Sequence, residues 1–182
     1  MKANSISFII SIVLFFACSP ESSSTENVTQ DAAFTALEQL EEEIFNYSVG
    51  SNKNKLAKKG KALLISSKDY ISSHAGDPTL ERAYEMAALG AEVSGAYDDA
   101  INYLYLAQRN FPTSKKAPIY LFNRARILDD ILLKKRESEL AYRELIELYP
   151  DDSLSLSMKR YLESDLMNKS EQELLDFFNS KK

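Results

Sequence analysis

Residues 77–112, DPTLERAYEMAALGAEVSGAYDDAINYLYLAQRNFP, decide the fold. Asp77 offers a side-chain acceptor at a helix N-cap, and Pro78 takes the first helical position, where its missing N–H costs nothing. Tyr84, Ala87, Ala88 and Ala91 then recur at i, i+3, i+4, i+7 spacing, which predicts one apolar face on a helix. Gly95 supplies the residue able to take a positive φ at the helix end. Ala100, Leu104, Ala107 and Phe111 repeat the stripe on a second helix, which Pro112 terminates. Small residues at 87, 88, 91 and 100 allow close helix approach, and the larger side chains fill the spaces between hairpins.

Working outward, the same pattern recurs. Tyr70–Ala75, Ala107–Pro112 and Leu145–Pro150 each end a helical pattern with an aromatic ring and then a break, at spacings of 37 and 38 residues. A fixed period of apolar helix, turn and apolar helix is the signature of an α-hairpin array. The hairpins fall at about 31–75, 77–112, 117–150 and 153–180. In the third, Leu121, Ala125 and Leu128 mark the first helix and Ser138, Tyr142 and Leu145 the second. One extra residue is expected in the turn near Leu133–Arg136. In the first, Phe34, Leu37, Leu40, Ile44 and Tyr47 face Leu56, Gly60, Leu63, Ser67, Tyr70 and His74, with Glu38 and Glu41–Glu43 set against Lys53, Lys55, Lys58, Lys59 and Lys61 as a solvated, paired face; contact of that lysine run with an anionic polymer or lipid headgroups is the alternative. At the far end Leu154, Met158, Tyr161 and Leu162 form a helix. Ser170 and Glu173 then make a capping box before Leu174, Leu175, Phe177 and Phe178.

Gly95, Tyr97, Ala100, Leu104, Ala107 and Pro112 sit at the offsets of the glycine, tyrosine, alanine, bulky, alanine and proline positions of a tetratricopeptide repeat. Tyr84 and Ala88 match its earlier aromatic and small sites. The chain resembles the small tetratricopeptide-repeat lipoproteins of Gram-negative bacteria of the Bacteroides and Flavobacterium kind. It is distantly similar to outer-membrane assembly and cell-division coordinator lipoproteins with such repeats. The resemblance implies an all-α fold: a TPR-like stack of antiparallel helix hairpins, an α-solenoid, whose first helices line a concave groove. On that side it places Arg82, Glu85, Leu89, Glu92, Ile119, Phe122, Arg126 and Asp129, the candidate partner-binding residues. The bland alternative has Leu89, Ile119 and Phe122 packing against the neighbouring hairpin.

The amino terminus reads as an address. Lys2 is followed by an apolar run from Ile6 to Ala17, interrupted by Ser7 and Ser11, and then by Cys18. The run is too short for a membrane span, which needs about 20 apolar residues. It resembles a bacterial lipoprotein signal, which implies removal of residues 1–17 and lipidation of Cys18. A plain secretory signal with an incidental cysteine is the first alternative, and an uncleaved anchor the second. Loss of Lys2 takes the net charge from −5 to −6, so overall charge does not dock the chain to anionic lipid. Several acyl chains on Cys18 supply the anchor instead. Residues 18–30, rich in Ser, Glu, Thr and Asn, read as a flexible tether.

Composition bounds the chemistry. At 182 residues, with 45% hydrophobic and 27% charged content, the chain is one foldable domain. One cysteine excludes a disulfide framework and a multi-thiolate metal site. The acidic balance, pI near 5.1, argues against nucleic acid as partner. His74, the only histidine, reads as a packed or capping imidazole, leaving no zinc set and no Cys/His pair. Phosphate-loop, dinucleotide and hydrolase-elbow motifs are absent from the sequence. The pairs Asp98-Asp99, Asp129-Asp130 and Asp151-Asp152 read as dipole-complementing residues at helix starts. The expectation is a non-enzymatic scaffold without cofactor or metal, anchored at the outer membrane with its body in the periplasm or at the cell surface, and presenting a groove to an envelope protein or peptide. A role in outer-membrane protein assembly or in wall and division coordination is the nearest alternative. A carbohydrate-binding or hydrolytic factor acting through the carboxylate pairs is the rival from another class.

Overall fold

The computed structural model describes residues 23–47, 52–164 and 169–180, and over these the chain is helical with no strand. The helices are α1 Ser23–Phe45, α2 Lys53–Ser73, α3 Leu80–Ser94, α4 Tyr97–Asn110, α5 Ala117–Arg126, continued by a π-helical turn Ile127–Ile131, α6 Lys135–Leu148, α7 Ser153–Glu163 and α8 Glu171–Asn179. Residues 1–17 and Cys18, read as signal and lipidation site, lie outside the described residues. Of the segment read as a tether, Ser23–Gln30 belongs to α1 instead. After Pro20 this segment contains no proline or glycine, so nothing in its backbone blocks a helix.

Each helix from α1 to α7 packs on the next in chain order, and α1 also meets α3 while α5 meets α7. Within and between hairpins, neighbours run antiparallel. Gly60 of α2 lies against Gly90, Val93 and Ser94 of α3, whereas Tyr70, later in α2, bonds Thr79 just before α3 at 2.8 Å. The first helices α3 and α5 run parallel: Glu81 and Glu85 accept from Tyr120 of α5, and Glu92, two turns on, accepts from Arg126 at 2.7 Å.

Three apolar clusters sit one per layer. Leu37, Ile44, Leu63, Tyr70, Ala83 and Met86 join α1, α2 and α3. Ala88, Ala91, Ala100, Leu104, Ala107, Tyr120 and Ile127 join α3, α4 and α5. Ala125, Leu128, Ala141 and Tyr142 join α5 and α6, with Met158, Tyr161 and Leu162 of α7 against them.

The joints repeat at the level of backbone angles. His74, Phe111 and Tyr149 end α2, α4 and α6 with φ/ψ of −121/48, −127/54 and −133/60 degrees, and each donates its N–H to the carbonyl four residues back. Each carbonyl then accepts from the N–H three residues on, at Asp77, Ser114 and Asp152. The Tyr149 hydroxyl also donates back one period to the Pro112 carbonyl, at 2.9 Å.

Gly95 ends α3 at φ 81, in the left-handed region that the sequence requires there. Two expectations shift. Pro78 lies in a turn closed by the Leu80 N–H on the Asp77 carbonyl, and the helix starts two residues beyond the expected position. Asp77 instead caps Thr79, accepting from its N–H at 2.7 Å and from its hydroxyl at 2.5 Å. These bonds, the hydroxyl's first, hold the Asp77 carboxyl below the usual carboxylate range.

The extra residue of the third hairpin is not in the turn after Leu133. It is absorbed within the first helix as the π turn, where the Leu132 N–H reaches five residues back to the Ile127 carbonyl. Beyond it Leu133 takes φ 54, the left-handed place that Gly95 fills one repeat earlier.

The charge complementarity expected between α1 and α2 is realised in a single ion pair among the described residues, Lys59 to Glu43 at 2.5 Å. Glu41 turns to Arg82 of α3 instead. The capping box at Ser170 and Glu173 is present, and the Ser170 hydroxyl, with its N–H, holds the Glu173 carboxyl below its usual value.

Candidate functional site

Between the parallel helices α3 and α5 a groove of about 330 Å³ opens over α4. Ala88, Leu104 and Tyr120 form its floor, Leu89 and Ile119 its apolar walls, and Glu85, Glu92, Lys116 and Asn123 its polar rim. The floor is apolar because the α3 stripe turns small residues toward α4 and α5, leaving room that no large side chain fills.

Glu85 organises the rim. Its carboxylate accepts from Arg82 at 3.0 Å, Lys116 at 2.7 Å and the Tyr120 hydroxyl at 2.5 Å, with only 15% of its side chain exposed. Arg82 reaches in turn to Glu41 of α1, so one chain of charges links α1, α3 and α5. The Tyr120 hydroxyl also donates to Glu81 at 2.7 Å, and the Ser114 hydroxyl donates to the same carboxylate. Burial and then the bonds to Glu85 and Glu81 push the Tyr120 phenol far above its ordinary value. At the other end Glu92 and Arg126 pair with about a third of each side chain exposed, a contact of the kind that contributes only about 0–1 kcal/mol.

The eight sequence candidates separate into three groups. Leu89 and Ile119 line the groove, and Ile119 is the more open, at 44% exposure. Arg82, Glu85, Glu92 and Arg126 are held in ion pairs, of which Arg82–Glu41, Glu85–Lys116 and Glu92–Arg126 cross between hairpins. Phe122 and Asp129 turn away from the groove. Phe122 packs on Tyr142 of α6, ring centroids 6.2 Å apart, within the cluster shared with α7. Asp129 is 3% exposed and accepts from Lys135 at 2.7 Å and the Tyr161 hydroxyl at 3.2 Å, so its role is structural. Sequence reasoning missed Lys116, Tyr120 and Asn123. Lys116 and Asn123 lie three before and four after Ile119, so helical spacing from that residue would have found them.

No family model, curated protein or solved structure matches this chain.

Among the described residues no group of three or more His, Cys, Asp and Glu side chains converges as metal ligands do. His74 stacks on Tyr70, centroids 4.0 Å apart at 11°, and its Nδ1 lies 3.0 Å from the Tyr70 carbonyl and 2.9 Å from the Ser73 hydroxyl. Asp98 and Asp99 occupy the first turn of α4, and Asp152 caps α7 through the Leu154 N–H at 2.8 Å, both at helix starts as read. The pair Asp129-Asp130 departs from that reading, because it lies in the π turn at the end of its helix. The groove thus combines an apolar floor, one exposed aliphatic wall, an amide at Asn123 without a hydrogen-bond partner among the described residues, and a neutralised charged rim. Such a surface recognises by shape and hydrogen bonding.

Proposed function

We propose that this chain is a non-enzymatic scaffold of the tetratricopeptide type, held at a bacterial envelope membrane by lipid on Cys18, and that its groove receives a segment of an envelope protein. The observation that carries the reading is the open apolar groove between two parallel first helices, its rim bridged by the Glu41, Arg82, Glu85 and Lys116 chain of charges. The hairpin period, the repeated joints and the left-handed Gly95 support a solenoid of this class. The amino-terminal pattern supports export and lipidation, with the outer membrane as destination.

Ile119 and Asn123 are the expected contact residues, since the aliphatic side chain is exposed and the amide has no partner among the described residues. A photo-reactive residue at 119 or 123, introduced in cells, is expected to crosslink one envelope protein reproducibly. The same residue at position 122 is expected to give no crosslink, because that side chain faces α6. Equal labelling from all three positions, or none from 119 and 123, refutes the groove as the binding surface.

A further inference from the structure

Outside the groove, the most distinctive surface is the outward face of α2. The helix carries six lysines and one acid, Asp69, in a chain whose net charge is −5. Lys59 is taken up by Glu43, whereas Lys53, Lys55, Lys58, Lys61 and Lys68 are exposed and pair with no carboxylate among the described residues. Lys58, Lys61, Ile65 and Lys68 follow one another at three- and four-residue steps, so they share a face opposite the buried Gly60, Leu63, Ser67 and Tyr70. Ile65 sits among the cations with 50% of its surface in water. The first turn of α2 contains lysines and no acid, although cations at a helix N-terminus oppose the helix dipole.

Chain length favours one occupant. Only residues 19–22 separate Cys18 from the start of α1, a reach of at most about 18 Å at ~3.6 Å per residue. If Cys18 carries the lipid, the first turn of α1 is held within that distance of the bilayer, and the Lys68 end of the antiparallel α2, where Tyr70 meets Phe34, is the part of α2 nearest to it. A face of clustered lysines around one exposed aliphatic side chain fits such a surface, with the ammonium groups at phosphates and the apolar residue at the acyl boundary.

We infer that the Lys58, Lys61, Ile65 and Lys68 face of α2 lies against the anionic headgroups of the membrane that bears the anchor. The inference rests on the lipoprotein reading only for its choice of surface. It gives the body a fixed orientation, so that the anchor sets distance and α2 sets which side faces the bilayer.

The test is co-sedimentation of the full chain with vesicles of phosphatidylcholine alone and with about 30% phosphatidylglycerol. Any contribution of the apolar amino terminus is common to both, and the ratio of the two partition coefficients isolates the electrostatic part. The expected ratio is at least about tenfold at ~0.05 M salt and close to one at ~0.5 M. The combined Lys58→Gln, Lys61→Gln and Lys68→Gln variant, with far-UV circular dichroism unchanged, is expected to bring the low-salt ratio close to one. Arg126→Ala at the groove is expected to leave the ratio intact, which separates failure of this inference from failure of the groove reading. A ratio near one for the unaltered chain overturns the inference, as does a ratio that survives the triple substitution. Capture by dextran sulfate without preference for anionic vesicles assigns the face to a polymer and overturns it too.

Discussion

Replacing Gly90 by alanine tests the packing at its tightest point. A Cβ built there lies 2.6 Å from the Leu64 N, 2.7 Å from the Gly60 carbonyl oxygen and 3.1 Å from the Leu64 Cα. All three are backbone atoms of α2, so no side chain can rotate away. Restoring ordinary contact at 3.4 Å requires α2 and α3 to separate locally by about 0.8 Å. A gap of ~0.5–1 Å forfeits a quarter to a half of each dispersion contact across it. Overpacking of this type costs about 1–3 kcal/mol, and a backbone-on-backbone clash belongs at the upper end. Alanine regains about 1 kcal/mol through helix propensity. The net expectation is destabilisation by about 2 kcal/mol, a fall in melting temperature of ~4–8 °C for a chain of this size. Urea unfolding followed by far-UV circular dichroism reads it directly. Gly60→Ala, whose Cβ meets Val93 Cγ1 at 2.8 Å and backbone at 2.9 Å, should behave alike. The double variant should cost less than the two singles added, because the crossing opens only once. The sign is decisive: if Gly90→Ala raises stability by the ~1 kcal/mol of intrinsic propensity, the helices do not approach as described.

Leu133→Gly should stabilise the fold by up to about 1 kcal/mol, since relief of the left-handed strain at φ 54 exceeds the added freedom of the unfolded chain. Leu133→Ala keeps the Cβ and should change little, and equal urea midpoints for all three proteins would remove the strain argument. Alkaline pH should unfold the protein through its tyrosines. Burial first, then the Asp129 charge and hydrogen bond, push Tyr161 from 10.0 up to about 12, and burial raises Tyr142 and Tyr120 further. A raised folded-state value means the neutral phenol is favoured by folding. The Tyr161 contribution is therefore complete below about pH 10 and is lost as pH rises through about 12. Parallel titration of phenolate absorbance and circular dichroism should show late-ionising tyrosines whose release coincides with loss of helix. Uniform ionisation of all 10 near the ordinary value, with the fold intact, would contradict this.

The all-helical architecture was legible because periodicity reports which face of a helix is buried. Ala87, Ala88, Ala91, Ala100, Leu104 and Ala107 are buried as their spacing requires. Periodicity does not report which helix that face meets. The small residues of α3 suggested close approach within their own hairpin, yet Gly60 and Gly90 bring the backbones of α2 and α3 together across two hairpins. The same blindness divided the candidate site. Ile119, Phe122, Arg126 and Asp129 form one stripe on α5 and its π turn, but that stripe is shared between neighbours. Ile119 borders the groove beside α3, while Phe122 and Asp129 are covered from α6 and α7. The π turn was visible only as one surplus residue. Whether a surplus goes into a loop or widens a helix depends on packing at Ile127 and Leu128, which spacing cannot reveal.

The near-identical angles at His74, Phe111 and Tyr149 make the array modular in its construction. Every joint sets the same exit direction for the chain, so a further 37-residue unit spliced after Pro112 would enter on the trajectory its predecessor already follows. Unit number and surface chemistry can then vary separately: duplication lengthens the trough, while changes on the first helices alter the side chains that line it.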